Sequence, residues 1–227
     1  DSASLDLWES KVVEGTSRRR WRQRGISLAM EHKDFLKRIE AHLPKTDPTS
    51  FTFVHWGHGG RPTDEAFGLL PIAGVEPAKV IDAVMDVDHY KGNIEHVEEC
   101  RAINDPRFEA PQQVRFYQRV KIPILGAVHN ELVLERLGEV AGYEVAAWFI
   151  LRSETDALSK RDGFRSDYNH GAWFAKPGFL GYALASCPKR SDVGMLKWAA
   201  LTKGADATAS RVRKGNIEGM AAWAARR

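Results

Sequence analysis

Between residues 97 and 187 apolar side chains recur at every second position, and a proline-free stretch, 191–226, then follows with a period of three to four. Alternation places side chains on opposite faces of extended strands, whereas the longer period gathers them on one stripe of a helix. A chain in this order must lay a long terminal helix against a sheet, because neither apolar surface is stable in water by itself.

The strand signal is clearest over 113–122. Val114, Phe116, Val120 and Ile122 share one face with Gln118 as the exception, and Arg115, Tyr117, Arg119 and Lys121 share the other, which predicts one dry side and one wet side. Strands over 130–137 and 143–151 follow, joined by a turn at 138–142, and Tyr143, Val145, Ala147, Phe149 and Leu151 form an uncharged face. Segments 164–176 and 178–187 complete the series, hinged at Pro177 and Gly178. Short turns between successive strands predict antiparallel pairing. In the terminal stretch Ala205, Ala209, Val212, Gly219, Met220 and Trp223 fall on one face, opposite Arg211, Lys214 and Glu218. The turn before it, 192–203, is apolar nearly all round, with Val193, Met195, Leu196 and Trp198, and Gly204 marks a break between the two pieces.

Upstream, residues 1–24 predict a short helix carrying Leu5, Trp8 and Val12, then a basic run of Arg18, Arg19, Arg20, Arg22 and Arg24. Such a run suits phosphate or anionic headgroups. No apolar helical face accompanies the charges, so a solvated linker is the preferred reading. A helix over 26–43 follows, with Leu28, Phe35, Ile39 and Leu43 on one side and Pro44 ending it. Residues 51–56 and 65–73 form two strands around the glycine-rich loop His55-Trp56-Gly57-His58-Gly59-Gly60. His55 and His58 with Asp64 and Glu65 lack the helix or second ligand pair of a metal motif, so no metal site is predicted. Pro77 opens a helix buried through Val80, Ile81, Val84, Met85 and Val87, and a second short helical piece runs to about His96. Asp86, Asp88 and His89 are expected at the surface of the helix end. The domain division expected is a helical extension with a basic linker over 1–45 and one domain over 46–227.

A composition 43% hydrophobic and 10% aromatic supports a full core, and a net charge of +3 is too small to demand a nucleic-acid partner. No apolar run approaches the roughly 18 residues that span a bilayer. Cys100 and Cys187 are too few for a disulfide framework, and whether they pair is left open. The chain begins at Asp1; a soluble protein is expected, with cytoplasmic and periplasmic or secreted locations both open. Oligomeric state is not readable.

Four patches together resemble the START-like helix-grip superfamily, which includes polyketide cyclases and aromatases and Bet v 1-like proteins. Residues 76–101 are similar to its valine-rich helix, ending in Asp and a His-Tyr pair, before a short connector. Residues 120–124 resemble the strand running into a proline, here Pro123. Gly171-Ala172-Trp173 with Pro177 resembles the G-x-W strand, and residues 194–198 the entry to the terminal helix. The Arg-Asp pair that many members carry after the proline is replaced here by Gly126-Ala127-Val128-His129-Asn130-Glu131, so no role is carried over from it. The resemblance implies an α+β helix-grip fold, a curved antiparallel β-sheet wrapped around a long C-terminal helix, with N-terminal helices, and an apolar cavity between sheet and helix.

The residues agree with that expectation, since the predicted sheet has more apolar surface than one narrow helix stripe can cover. Lining candidates are Val114, Phe116, Val120, Leu132, Leu134, Phe149, Tyr168, His170, Trp173, Tyr182, Met195 and Trp198, each of which equally suits ordinary core packing. The function expected is binding and transfer of a hydrophobic small molecule (a lipid, sterol, fatty acyl chain or polyketide), with transient membrane contact, no nucleic acid and no cofactor. Loops at 57–60 and at Gly126, or the helix near Gly204, are the expected gates. The alternative is an enzyme of cyclase, aromatase or hydrolase type using Tyr168, His170, Arg136, Arg152 and Tyr143. No Ser-His-Asp order, phosphate loop, dinucleotide fingerprint or paired-cysteine metal site obliges catalysis, and no catalytic residue is assigned.

Overall fold

The computed structural model describes residues 26–122, 126–203 and 205–227. The expected N-terminal helix and arginine run, the proline at 123 and the break at Gly204 lie outside the described residues. Eight strands form one sheet: β1 (Thr52–Trp56), β2 (Glu65–Pro71), β3 (Val97–Ile103), β4 (Gln113–Ile122), β5 (Gly126–Val140), β6 (Tyr143–Ile150), β7 (Phe164–Lys176) and β8 (Phe179–Pro188). The helices are α1 (Ile26–His42), α2 (Pro77–Met85), α3 (Arg152–Ala157), α4 (Met195–Lys203) and α5 (Ala205–Ala224).

Strands β3 to β8 pair antiparallel in chain order; tight turns join β5 to β6 and β7 to β8 as expected, whereas β6 reaches β7 through the helix α3, which the strand periodicity does not predict. The first hairpin then docks on the last strand, giving the order β1-β2-β8-β7-β6-β5-β4-β3. Where β6 ends, β5 meets β7 directly through the parallel pairs Val128 with Phe164 and His129 with Arg165. This fork bends the sheet into a grip. β5 is longer than the alternation over 130–137 predicts, and Gly126, expected in a loop, is paired with Ile122. The short helical piece expected before His96 is only a 3-10 turn, Val87–His89, whose neighbour Tyr90 donates its hydroxyl to the Val84 carbonyl at 2.6 Å.

Both faces of the sheet are covered. On the convex face Phe35, Leu36 and Ile39 of α1 pack on Phe67, Leu69, Val145, Ala172 and Phe174. Arg38 clamps that helix by two hydrogen bonds of 2.6 and 2.7 Å to Glu65, whose carboxylate is fully buried and also accepts from the Trp56 indole at 2.9 Å. On the concave face Val80, Ile81 and Val84 of α2 and Ile217, Met220 and Trp223 of α5 pack on strands β4 to β8. Gly219 lets the preceding loop approach α5, since a Cβ there would lie 2.8 Å from the Asn93 carbonyl.

Gly171 sets the closeness of the central strands. A Cβ there would overlap the Trp148 indole and lie 2.5 Å from the Ala183 carbonyl oxygen, backbone that cannot step aside. Gly171→Ala should therefore cost about 3 kcal/mol or more by overpacking. Urea denaturation checks this, and an unchanged midpoint would show that Trp148 has another rotamer to occupy.

Candidate functional site

The concave face is built from alternate residues of five strands. Opposed side chains run Phe116, Leu132, Ile150 across β4, β5 and β6, and the next row runs Val114, Leu134, Trp148, Gly171, Leu184 across β4 to β8. Tyr182 lies between two indoles, stacked on that of Trp148 at 5.7 Å and 24° and tilted by 42° against that of Trp173 at 4.4 Å. Tyr90 meets Phe116 and Trp223 edge-on, linking the wall to α5. Val114, Phe116, Val120, Leu132, Leu134, Trp173 and Tyr182 are thus brought together as the periodicity predicts.

The other candidates are placed elsewhere. Phe149 points to the opposite face and packs with Val133, Leu151 and Phe108. Tyr168 lies on the convex side, its hydroxyl 2.6 Å from that of Thr63, and His170 stacks between Tyr168 and Phe35 of α1. The physical reason is that β6 and β7 are apolar on both faces, so alternation separates two sides without saying which is inner. Met195 is 89% exposed and lines nothing. Trp198 closes the end of the sheet against Val128, Val193 and Phe164, with the Arg190 guanidinium 5.7 Å from its ring.

The polar groups invoked for an enzyme do not converge in this space. Tyr168 and His170 are on the far side; Tyr143 packs with Phe174 in the convex core. Arg136 binds Asp82 of α2, and Arg152 faces Asp167 at the surface, 3.7 Å away. His55 pairs with Asp64 at 2.7 Å, and no cluster that could hold a metal ion occurs among the described residues. Asp86 and His89 bond each other at 2.7 Å on the exposed helix end. Cys100 and Cys187 are free thiols buried in the concave and convex clusters respectively.

Sequence reasoning missed the polar part of the concave interior. Asn130 is fully buried, and neither its amide nitrogen nor its oxygen has a hydrogen-bond partner. Gln118 stands directly opposite it on β4 and is half-buried. From α5, Arg213 and Asn216 join Ile217 and Met220 on the buried stripe. Arg213 donates to the carbonyls of Leu184 and Ala209, both at 3.2 Å, while its Nε has no partner. The signals were present: Gln118 interrupts the apolar face of β4, and Arg213 lies four and seven residues before Ile217 and Met220, on the same face of the helix.

Burial keeps the phenols and the thiol of this interior neutral. It raises Tyr90 and Cys100 well above their ordinary values, and it pushes Tyr182 up to about 12 although the positive charge of Arg213 opposes the shift. Val114, Gln118, Val120 and Leu184 all face the concave side yet remain half-buried, so the wall is not fully sealed. At the other end of α5 a groove of about 700 Å³ opens beside the 71–76 loop, with Leu70, Ile72, Val75 and Ala221 in its lining and Lys79 and Lys214 among its charged residues.

The turn leading into α4 is fixed to the sheet by Asp192, whose side chain is 1% exposed and receives Arg165 Nε at 2.7 Å and a second guanidinium nitrogen at 2.9 Å. Those bonds hold its carboxyl well below the ordinary value of 3.8. Because the folded-state pKa is the lower one, the unfolded chain takes the proton first as pH falls. The pair's contribution is therefore whole above that ordinary value and lost as pH drops below it toward the folded-state pKa. Asp192→Asn should cost about 2 kcal/mol at neutral pH, the worth of a charge-assisted pair, and progressively less in acid. Urea midpoints of both proteins at pH 7 and pH 3 test this, and a pH-independent gap contradicts it.

Solved structures with the same fold exist. A STAR-related lipid transfer protein from Xanthomonas axonopodis superposes with a TM-score of 0.61 at 12% identity, over 79% of this chain and 96% of that one. Human StAR-related lipid transfer protein 5 gives 0.60 at 10% identity, over 87% and 97%. Human STARD10 gives 0.59 at 13%, over 83% and 78%. No protein-family model matches the sequence, and no curated protein matches it significantly. Identities this low show the fold: the chain has the START-like helix-grip architecture expected from the four sequence patches.

Proposed function

We propose that the protein binds an apolar small molecule between the concave face of the sheet and α5. The observation that carries this reading is the half-open apolar wall: Val114, Val120 and Leu184 face inward beneath the terminal helices without being sealed, beside the aromatic stack of Trp148, Tyr182 and Trp173. A guest laid on that wall gains about 25 cal/mol per Å² of apolar surface withdrawn from water, before the cost of immobilising it. Two solved proteins of this fold carry lipid transfer in their names, which supports a lipid-class guest. For delivery, Met195 and Leu196 at the start of α4 are each 89% exposed and suit a brief contact with a membrane surface. No described helix is long and apolar enough to cross one.

Purified protein extracted into organic solvent should release a co-purified apolar molecule detectable by mass spectrometry. Leu184→Trp adds bulk at a half-buried position on the wall and should abolish that release while circular dichroism and melting stay close to those of the parent. If the parent yields nothing extractable and takes up no fluorescent fatty alcohol, the proposal fails.

A further inference from the structure

The fork where β6 ends gathers uncharged polar side chains in the deepest part of the concave face. Asn130 is one residue beyond the last parallel pair on β5, and Ser166 one beyond it on β7, so the two become neighbours. Asn130 is fully buried and Ser166 is 2% exposed, yet the amide of the first and the hydroxyl of the second have no hydrogen-bond partner. Asn169, also buried, spends its oxygen on the Trp148 indole at 2.9 Å. Gln118 faces Asn130 from β4 and is still partly accessible. The charged residues near the fork point away or are engaged elsewhere: Arg119 and His129 alternate to the convex face, and Arg165 is tied to Asp192.

Buried polar atoms are almost always satisfied, and leaving an amide and a hydroxyl orphaned together is costly unless something else completes them. Resting on the binding function proposed above, we infer that this notch receives the head group of the guest, and that the head group is neutral and both donates and accepts hydrogen bonds, a carboxamide or a hydroxyl. Asn130 offers a donor and an acceptor side by side, and Ser166 offers either. A carboxylate would leave the Asn130 oxygen unpaired and would be stripped of water at the fork, while the cation of this interior, Arg213, is bonded to the Leu184 carbonyl on β8 and lies over Phe53 of β1.

The test uses three probes of equal chain length, decanamide, decanol and decanoate, titrated calorimetrically at pH 8 into delipidated protein. Decanamide and decanol should bind about tenfold tighter than decanoate, the ratio one well-made buried hydrogen bond supplies. Asn130→Leu should weaken decanamide about tenfold and leave decanoate within about twofold, because it removes hydrogen bonding and keeps the bulk. Ser166→Ala, which perturbs packing less, should give a smaller loss of the same sign and serves should the first variant not fold. Equal affinities for the three probes, as expected if ordered water fills the notch, overturn the head-group assignment alone. So does undiminished decanamide binding in the variants. Failure of all three probes to bind the parent protein, together with an empty solvent extract, overturns the binding function and this inference with it.

Discussion

A sheet that is apolar on both faces has to be covered twice, and the rest of this structure follows from that constraint. The central strands β6 and β7 carry Val145, Ala147, Ala172 and Phe174 outward and Ala146, Trp148, Trp173 and Ala175 inward, so neither side tolerates water. One layer of helices would leave half of the burial undone. α1 supplies the convex cover, α2 and α5 the concave one, and the curvature introduced at the fork between β5 and β7 lets one short helix and one long one share the inner side.

The two covers differ in kind. On the convex side the fit is closed by chemistry as well as packing. Glu65 is buried only because Arg38, Arg61 and the Trp56 indole surround its carboxylate, and losing one partner there would leave a charge with reduced compensation. That geometry demands one position of α1. On the concave side no comparable buried ion pair holds α5 among the described residues. Its C-terminal half is held by Ile217, Met220 and Trp223, while Arg213 reaches only backbone carbonyls and Asn216 leaves its oxygen without a partner.

Much of this was legible in the sequence, and the losses have identifiable causes. Alternation located β4 to β8, with β5 given only from residue 130 and no bounds set for β3, and the mixed face of β4 told dry from wet correctly at Val114, Phe116 and Val120. It failed on β6 and β7, where both faces are apolar, and the unbroken stripe Tyr143, Val145, Ala147, Phe149, Leu151 turned out to belong to the convex side. Tyr168 and His170 went with it, because alternation assigns parity and only tertiary packing says which parity faces α5. Polar members of the interior escaped for another reason. Asn130 and Arg213 look like surface residues by type, and what buries them is the company of Leu132 and Leu134 in one case and Ile217 and Met220 in the other. Gln118 interrupted an otherwise apolar face and was the visible trace of the notch.

The character of that interior bears on whether the space performs chemistry or holds a molecule. Proton transfer at neutral pH is most efficient from a group poised near 7. Burial instead drives Tyr90, Cys100 and Tyr182 far above it, so all three stay protonated and act as hydrogen-bonding or apolar surface. Arg213 remains a cation without a carboxylate bonded to it, able to stabilise charge but not to move a proton. The imidazole of His129 on β5 points to the other face, where Tyr117 lies 3.2 Å from its Nδ1 and burial lowers its pKa. An apolar wall with uncharged amides at its deep end offers a guest shape and hydrogen bonding, which is the physics behind the binding function proposed above.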